Sequence, residues 1–213
     1  LAAAGMIVGT FSLTGLGLKV SSLIMSWSGG SPIAALFLAM VASFLIGLSL
    51  PITATYIMTV VMVAPALVKV GLPMHVAHLL AFYFAVLSEV SPPVGLSPSA
   101  AAAVTGGNPF GAMMQAWKYS LPAFLVPFLF SASPLGANLL ILGADLPGFL
   151  LAAANSTVAL FFLSLGIVGY LRGEIPLAER ALLVGIACVL VVFPVGPSAP
   201  GLGALAAGAG IVA

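Results

Sequence analysis

Residues 33–68 form a 36-residue run without a charged side chain, and the run is interrupted in its middle by the polar stretch SLPITAT, residues 49–55. Pro51 removes a backbone donor there, and the flanking hydroxyls offer local hydrogen bonds that compete with a helix. The arms on either side, 33–48 and 54–68, have 16 and 15 residues. As helices each is about 23 Å long at about 1.5 Å per residue. A bilayer core of about 30 Å asks for about 20 residues per span, so two full spans do not fit comfortably. A re-entrant helical hairpin over 33–68 does fit, with its polar tip held inside protein or beside a water-filled cavity, where irregular backbone survives at membrane depth.

The next block repeats the theme. Residues 74–90 form a largely apolar block, SPPVG (91–95) breaks it, and the pattern resumes over 96–105. Pro92 and Pro93 delete consecutive donors, and Gly95 opens conformations closed to other residues. The pattern predicts a discontinuous helix over 74–105. Elsewhere, residues 2–25 read as an apolar block long enough to span, with Lys19 inside it. Residues 110–119 read as a short interfacial segment, 121–142 and 147–171 as spans, and 181–193 as a shorter one. The Gly/Ala-rich tail from 201 reads as the start of a last helix. The expected fold is an all-α integral membrane bundle. Its expected organisation is a transport-domain part over 1–130, followed by additional transmembrane helices over 131–213.

Composition bounds the function. Only 4% of residues are charged, against 62% hydrophobic, whereas soluble domains carry about 25% charged residues. Water cannot be the main solvent of such a surface; a lipid bilayer can. Five scattered Lys and Arg exclude a nucleic-acid-binding face. A single cysteine, Cys188, excludes an internal disulfide and reads as a packing or lipid-facing residue. No catalytic triad, phosphate loop or HExxH motif occurs, and no enzyme is expected. His75 and His78, three apart, read as interfacial histidines near a helix start. The RGEIPLAER run, with Arg172, Glu174, Glu179 and Arg180, reads as a solvated connector. Counting the hairpin as returning to its own side puts Lys118, Arg172 and Arg180 together, and the excess of basic residues marks that side as cytoplasmic. The ends, LAAAG and AAGAGIVA, read as those of a segment of a longer chain.

A polar hairpin tip paired with a broken helix suits the binding of a small hard cation. Hydroxyls and unpaired carbonyls supply oxygen ligands without a buried charge, while half-helix N-termini attract an anionic substrate. The candidate cation ligands are Gly47, Ser49 and Thr53 at the tip and Ser91, Val94 and Gly95 at the break, most of them through carbonyls. Ser97 and Ser99, in the first turn of the second half-helix, are candidate substrate contacts. Glu89 is a candidate for charge or proton coupling, since a carboxylate beside a break in the bilayer is costly unless neutral, paired or cation-bound.

GLSLPITATYIMTVVMVAPALVKVG (47–71) resembles the hairpin of the large permease of tripartite ATP-independent periplasmic (TRAP) transporters. SEVSPPVGLSPSAAAAVTGGNPFGAMMQAWKYSLPAFLVPFLF (88–130) resembles the broken helix and following segment of the same subunit, and AGMIVGTFSLTGLGLKVSSLIMSWSGG (4–30) fits upstream. The part after Ser131 is similar to the fused form, in which small and large permease parts share one polypeptide. Against the usual motifs, Leu48-Ser49 replaces Met-Gly, Ile52 replaces a Thr, Ser91 replaces the Thr before Pro-Pro, and Glu89 replaces a small neutral residue. The resemblance implies inverted repeats, of which this chain holds the second. It implies a sodium gradient as driving force, with sodium as coupling ion and no other cofactor, and an elevator-like motion. It also implies a small organic anion delivered by a periplasmic substrate-binding protein, a remaining permease half, and a multi-pass location in a bacterial or archaeal cytoplasmic membrane. A divalent-anion/sodium symporter, a passive channel and a scaffold subunit are the alternative readings.

Overall fold

The computed structural model describes residues 2–48, 50–142 and 145–193, and the described residues are helical apart from connections and one isolated bridge between Tyr170 and Glu174. The chain divides into two compact units, Leu1–Trp117 and Lys118–Ala213.

The first unit opens with α1 (Ala2–Leu13) and α2 (Leu16–Ser28). The single span expected over residues 2–25 is therefore two helices. The cause is Gly15, whose φ of 65° lies in the left-handed region and interrupts the helical ladder. A second left-handed glycine, Gly29, ends α2. Helix α3 (Pro32–Gly47) starts on Ser31, whose hydroxyl accepts from Ala34 N, with Pro32 in the first turn where its missing N–H costs nothing.

Helix α4 spans Ile52–Lys69 and has 18 residues, about 27 Å at about 1.5 Å per residue. It is longer than the expected second arm of 54–68. Pro51, extended at φ −60° and ψ 152°, stands immediately before it and lets the helix begin at Ile52. By length and composition α4 is one of two single helices among the described residues able to cross a membrane; the other, Leu146–Val168, is in the second unit. The hairpin therefore has unequal arms. Helix α5 (Met74–Glu89) follows Pro73, and α6 (Leu96–Thr105) follows the expected break. Helix α7 (Pro109–Ser120) covers the short segment expected over 110–119.

Helix α4 packs against α2, α3 and α5. The core between them is built from Leu36, Val63, Leu67, Leu80 and Phe84, all fully buried. Lipid is as apolar as these side chains, so close packing rather than water exclusion holds such helices together. Small residues permit it. Gly17 brings α2 so close to α4 that an added methyl would meet Val61 Cγ1 at 3.4 Å and Val61 O at 3.5 Å.

In the second unit, a 3-10 turn (Leu121–Leu125) leads into α8 (Val126–Ser131), α9 (Pro134–Ala137) and a second 3-10 turn (Asn138–Leu140). The continuous span expected over 121–142 is not formed. The helical run ending at Ser131 and the short one beginning at Pro134 are bent by 100° to each other, because Pro134 forces the residue before it out of the helical region. Ser133 is extended and its hydroxyl accepts from Gly136 N. Helices α10 (Leu146–Val168) and α11 (Leu177–Val192) then form a packed pair around Phe162, Leu183 and Leu190. The tail from residue 201 lies outside the described residues.

Arg180 corrects one expectation. It is not part of a solvated connector: Nε donates to Gly166 O at 2.9 Å and Nη2 to Ile167 O at 2.9 Å. Those are carbonyls of the last turn of α10, where a helix exposes unpaired acceptors and the negative end of its dipole. Arg172 and Glu174 are exposed, as a connector requires; Glu179, exposed too, is in the first turn of α11, and Cys188 is exposed.

Candidate functional site

The hairpin tip and the broken helix meet inside the first unit. Gly47, the buried last residue of α3, sits where an added methyl would overlap Ser88 Oγ and lie 2.5 Å from Ser88 Cβ and 3.0 Å from Thr55 Cγ2. Ser88 is the penultimate residue of α5, so the tip lies one turn before the break. Among the buried hydroxyls of these elements, those of Thr55 and Ser88 lie beside Gly47 and that of Ser91 lies at the break. Each donates to a carbonyl close by in its own segment: Thr55 Oγ1 to Leu50 O at 3.1 Å, Ser88 Oγ to Ala85 O at 2.7 Å and Ser91 Oγ to Leu87 O at 2.8 Å. With the protons so committed, the oxygen lone pairs are what these groups offer to a ligand.

The break itself is compact. Val90 caps α5, a cis peptide joins Pro92 to Pro93, and Gly95 adopts φ 41° in the left-handed region. Gly95 N donates to Ser91 O at 3.0 Å, and Gly95 O accepts the first helical bond of α6, from Ser99 N at 3.0 Å. The side chain of Met113, from α7, fills the space at Gly95: an added methyl there would overlap Met113 Cγ and lie 2.5 Å from its Sδ. Met113 is itself buried.

Of the expected cation ligands, Gly47, Ser91 and Gly95 are buried, while Thr53 and Val94 are exposed. Thr53 is in the first turn of α4 rather than in an irregular tip, because the helix starts directly after Pro51. Ser49 lies outside the described residues. Ser97 is exposed and Ser99 half-buried, both in the first turn of α6. Glu89 is half-buried at the end of α5.

Sequence reasoning passed over Thr55, Ser88 and Met113. Thr55 follows Pro51 by four residues, the spacing at which its N–H bonds Pro51 O, here at 3.0 Å; that spacing was a usable signal. Nothing in the sequence marks Ser88 or Met113, whose importance comes from the glycines they face. A further group missed is a pair on neighbouring helices, Tyr56 of α4 and His78 of α5, whose hydroxyl and Nδ1 are 2.9 Å apart.

The neutral hydroxyls therefore lie where a helical hairpin meets an interrupted helix, in a unit that contains α4, a helix long and apolar enough to cross a bilayer. The family model described as "Tripartite ATP-independent periplasmic transporter, DctM component" matches residues 1–136, a region that includes both the hairpin and the broken helix. No curated protein and no solved structure gave a match. The chain therefore belongs to the DctM family of tripartite ATP-independent periplasmic transporters, and it is a membrane protein of a transport system.

Proposed function

We propose that this chain is the permease part of a sodium-coupled symporter that imports a small organic anion. The anion is delivered by a periplasmic substrate-binding protein, and the hairpin and broken helix move together in an elevator-like step across a bacterial or archaeal cytoplasmic membrane. The observation that carries the reading is the seating of Gly47 against Ser88 and Thr55. It brings the tip of one interrupted segment against the end of the other, next to the break, which supports reading the two as parts of one site. Sodium needs hard oxygen ligands, and a neutral set of hydroxyls and carbonyls avoids leaving a bare charge in the bilayer when the ion departs. The proposed ligands are Gly47, Ser49, Thr53, Ser91, Val94 and Gly95, with Ser97 and Ser99 presenting the α6 N-terminus to the anion. The remaining permease half completes the transport domain, and residues 131–213 supply additional transmembrane helices.

The test is uptake into proteoliposomes containing the complete permease, with and without an inward sodium gradient and the binding protein. Saturable uptake that requires both is expected. Current that flows without sodium coupling would identify a channel instead. Ser91→Ala is expected to weaken the sodium dependence about tenfold, the usual cost of losing one ligand to a charged group, and Ser91→Thr to preserve it. A Ser91→Ala protein with unchanged sodium dependence would remove the break from the mechanism.

A further inference from the structure

A second polar constellation lies in the first unit, built around side chains that titrate. Thr53 and Tyr56 of α4 and His75 and His78 of α5 line a pocket of about 650 Å³. Its walls are otherwise apolar, from Ile52, Leu79 and Phe82. Tyr56 is held from two sides: its hydroxyl is 2.9 Å from His78 Nδ1, and its ring stands edge-on to Phe82 with centroids 5.9 Å apart. Both Tyr56 and His78 are half-buried, whereas Thr53 and His75 are exposed.

The chemistry of the pair depends on its proton count. With Nδ1 unprotonated, the Tyr56 hydroxyl donates to it and the phenol proton is used up. With the imidazole protonated, Nδ1–H donates to the phenol oxygen, and the phenol O–H is released to donate elsewhere. Nε2–H then carries positive charge. One proton therefore gives the pocket a cation and an additional free donor. Among the described residues no carboxylate, lysine or arginine lines the pocket; Tyr56 and His75 are the titratable groups that accompany His78 there. Of the helices packed on α5, α3 carries no titratable side chain, and α4 carries, besides Tyr56, only Lys69 in its last turn.

We propose that the Tyr56–His78 pocket is a proton-linked binding site for an organic monoanion, its carboxylate held by the phenol O–H and the imidazolium, and its apolar body on Leu79 and Phe82. Anion and proton enter together, so the pocket stays near neutrality whether empty or filled, as a site within apolar helices requires. The inference rests on the transporter reading only in taking an organic anion as the ligand. It adds a proton to the ions that accompany that anion.

Benzoate, an aromatic monocarboxylate, is the probe, with the purified complete permease in detergent. Its affinity is expected to rise as pH is lowered, by at most about tenfold per unit, and to level off once the free site already carries its proton, as linkage to one proton dictates. Calorimetry in buffers of different ionisation enthalpy should show uptake of a proton with the anion. His78→Gln should abolish the pH dependence. Tyr56→Phe, which keeps the ring against Phe82, should weaken binding about tenfold at low pH, the loss of one hydrogen bond to a charged group. An affinity independent of pH in the unaltered protein overturns the proposal, and so does a His78→Gln protein that retains the pH dependence, or no benzoate binding at any pH. Radiolabelled sodium binding in the same preparation keeps the two readings apart. Sodium bound without benzoate defeats this pocket alone; benzoate bound with a proton but without sodium defeats the sodium coupling alone.

Discussion

Gly47 and Ser88 touch as directly as two residues on different helices can, with the Ser88 hydroxyl occupying the space that a side chain at position 47 would need. The hydroxyl's own bond runs backward, to Ala85 O at 2.7 Å, so the serine cannot turn away without losing a buried hydrogen bond. The contact is thus held from both sides. Gly47→Ala is expected to destabilise the first unit by about 1–3 kcal/mol through overpacking. Adding Ser88→Gly should recover most of that loss. Thermal unfolding in detergent of the two single variants and the double variant gives the answer. Single-variant losses that simply add in the double variant would mean that the two residues do not meet.

At Gly95 two constraints coincide, a left-handed backbone and the Met113 side chain. Gly95→Ala meets both. Left-handed geometry alone costs a residue with a Cβ about 1–2 kcal/mol, and the overlap with Met113 adds to it. Met113→Ala in the Gly95→Ala background should relieve the overlap and leave the backbone strain, so only part of the stability returns. Full recovery would show that the backbone at residue 95 is freer than its φ of 41° indicates.

Arg180 ties the start of α11 to the end of α10 by two hydrogen bonds. It is half-buried, so solvent screens part of their strength, and Arg180→Ala is expected to cost about 1–2 kcal/mol. Arg180→Lys should recover little, because an ammonium lacks the planar fork that reaches two successive carbonyls. Gly169→Ala probes the same joint from the other side. Gly169 is left-handed at φ 74°, and an added methyl would lie 2.7 Å from Arg180 Cζ. Proteolysis or hydrogen exchange at the α10–α11 connection reads out both variants, and protection equal to the unaltered protein would show that the tie carries no weight.

Glu89 ends α5, next to the break, and is half-buried. If its carboxylate contributes charge or a proton to coupling, Glu89→Gln shifts the pH or sodium dependence of uptake, while the maximal rate and protein stability change little. Uptake curves of the two proteins that superimpose across pH and sodium concentration would take Glu89 out of the mechanism.

The periodicity of apolar residues and their breakers was sufficient to locate α3, α4, α5, α6 and α10 to within a few residues, since proline deletes a donor wherever it stands and glycine permits the left-handed turn. It failed at residues 2–25, where Gly15 was one glycine among several in an apolar run. It failed again at 121–142, where Pro122, Pro127 and Pro134 lie so close together that their combined effect is a series of short turns rather than one kinked span. In both cases the apolar length was read correctly, and the path of the backbone was not.

The site divides in the same way. The polar tip, the break and the hydroxyls of Thr53 and Ser91 are visible in the sequence, because their departure from an apolar background is a local property. The pairing of Gly47 with Ser88, of Gly95 with Met113 and of Tyr56 with His78 was decided only by tertiary structure. Residue order alone established that this chain lives in lipid and that its helices are interrupted, since solvent preference and backbone hydrogen bonding are properties of each segment by itself. Which interruption faces which, and which side chain fills a glycine's vacancy, depends on how closely separate helices approach and at what rotation about their axes. Those quantities are set by packing among residues distant along the chain.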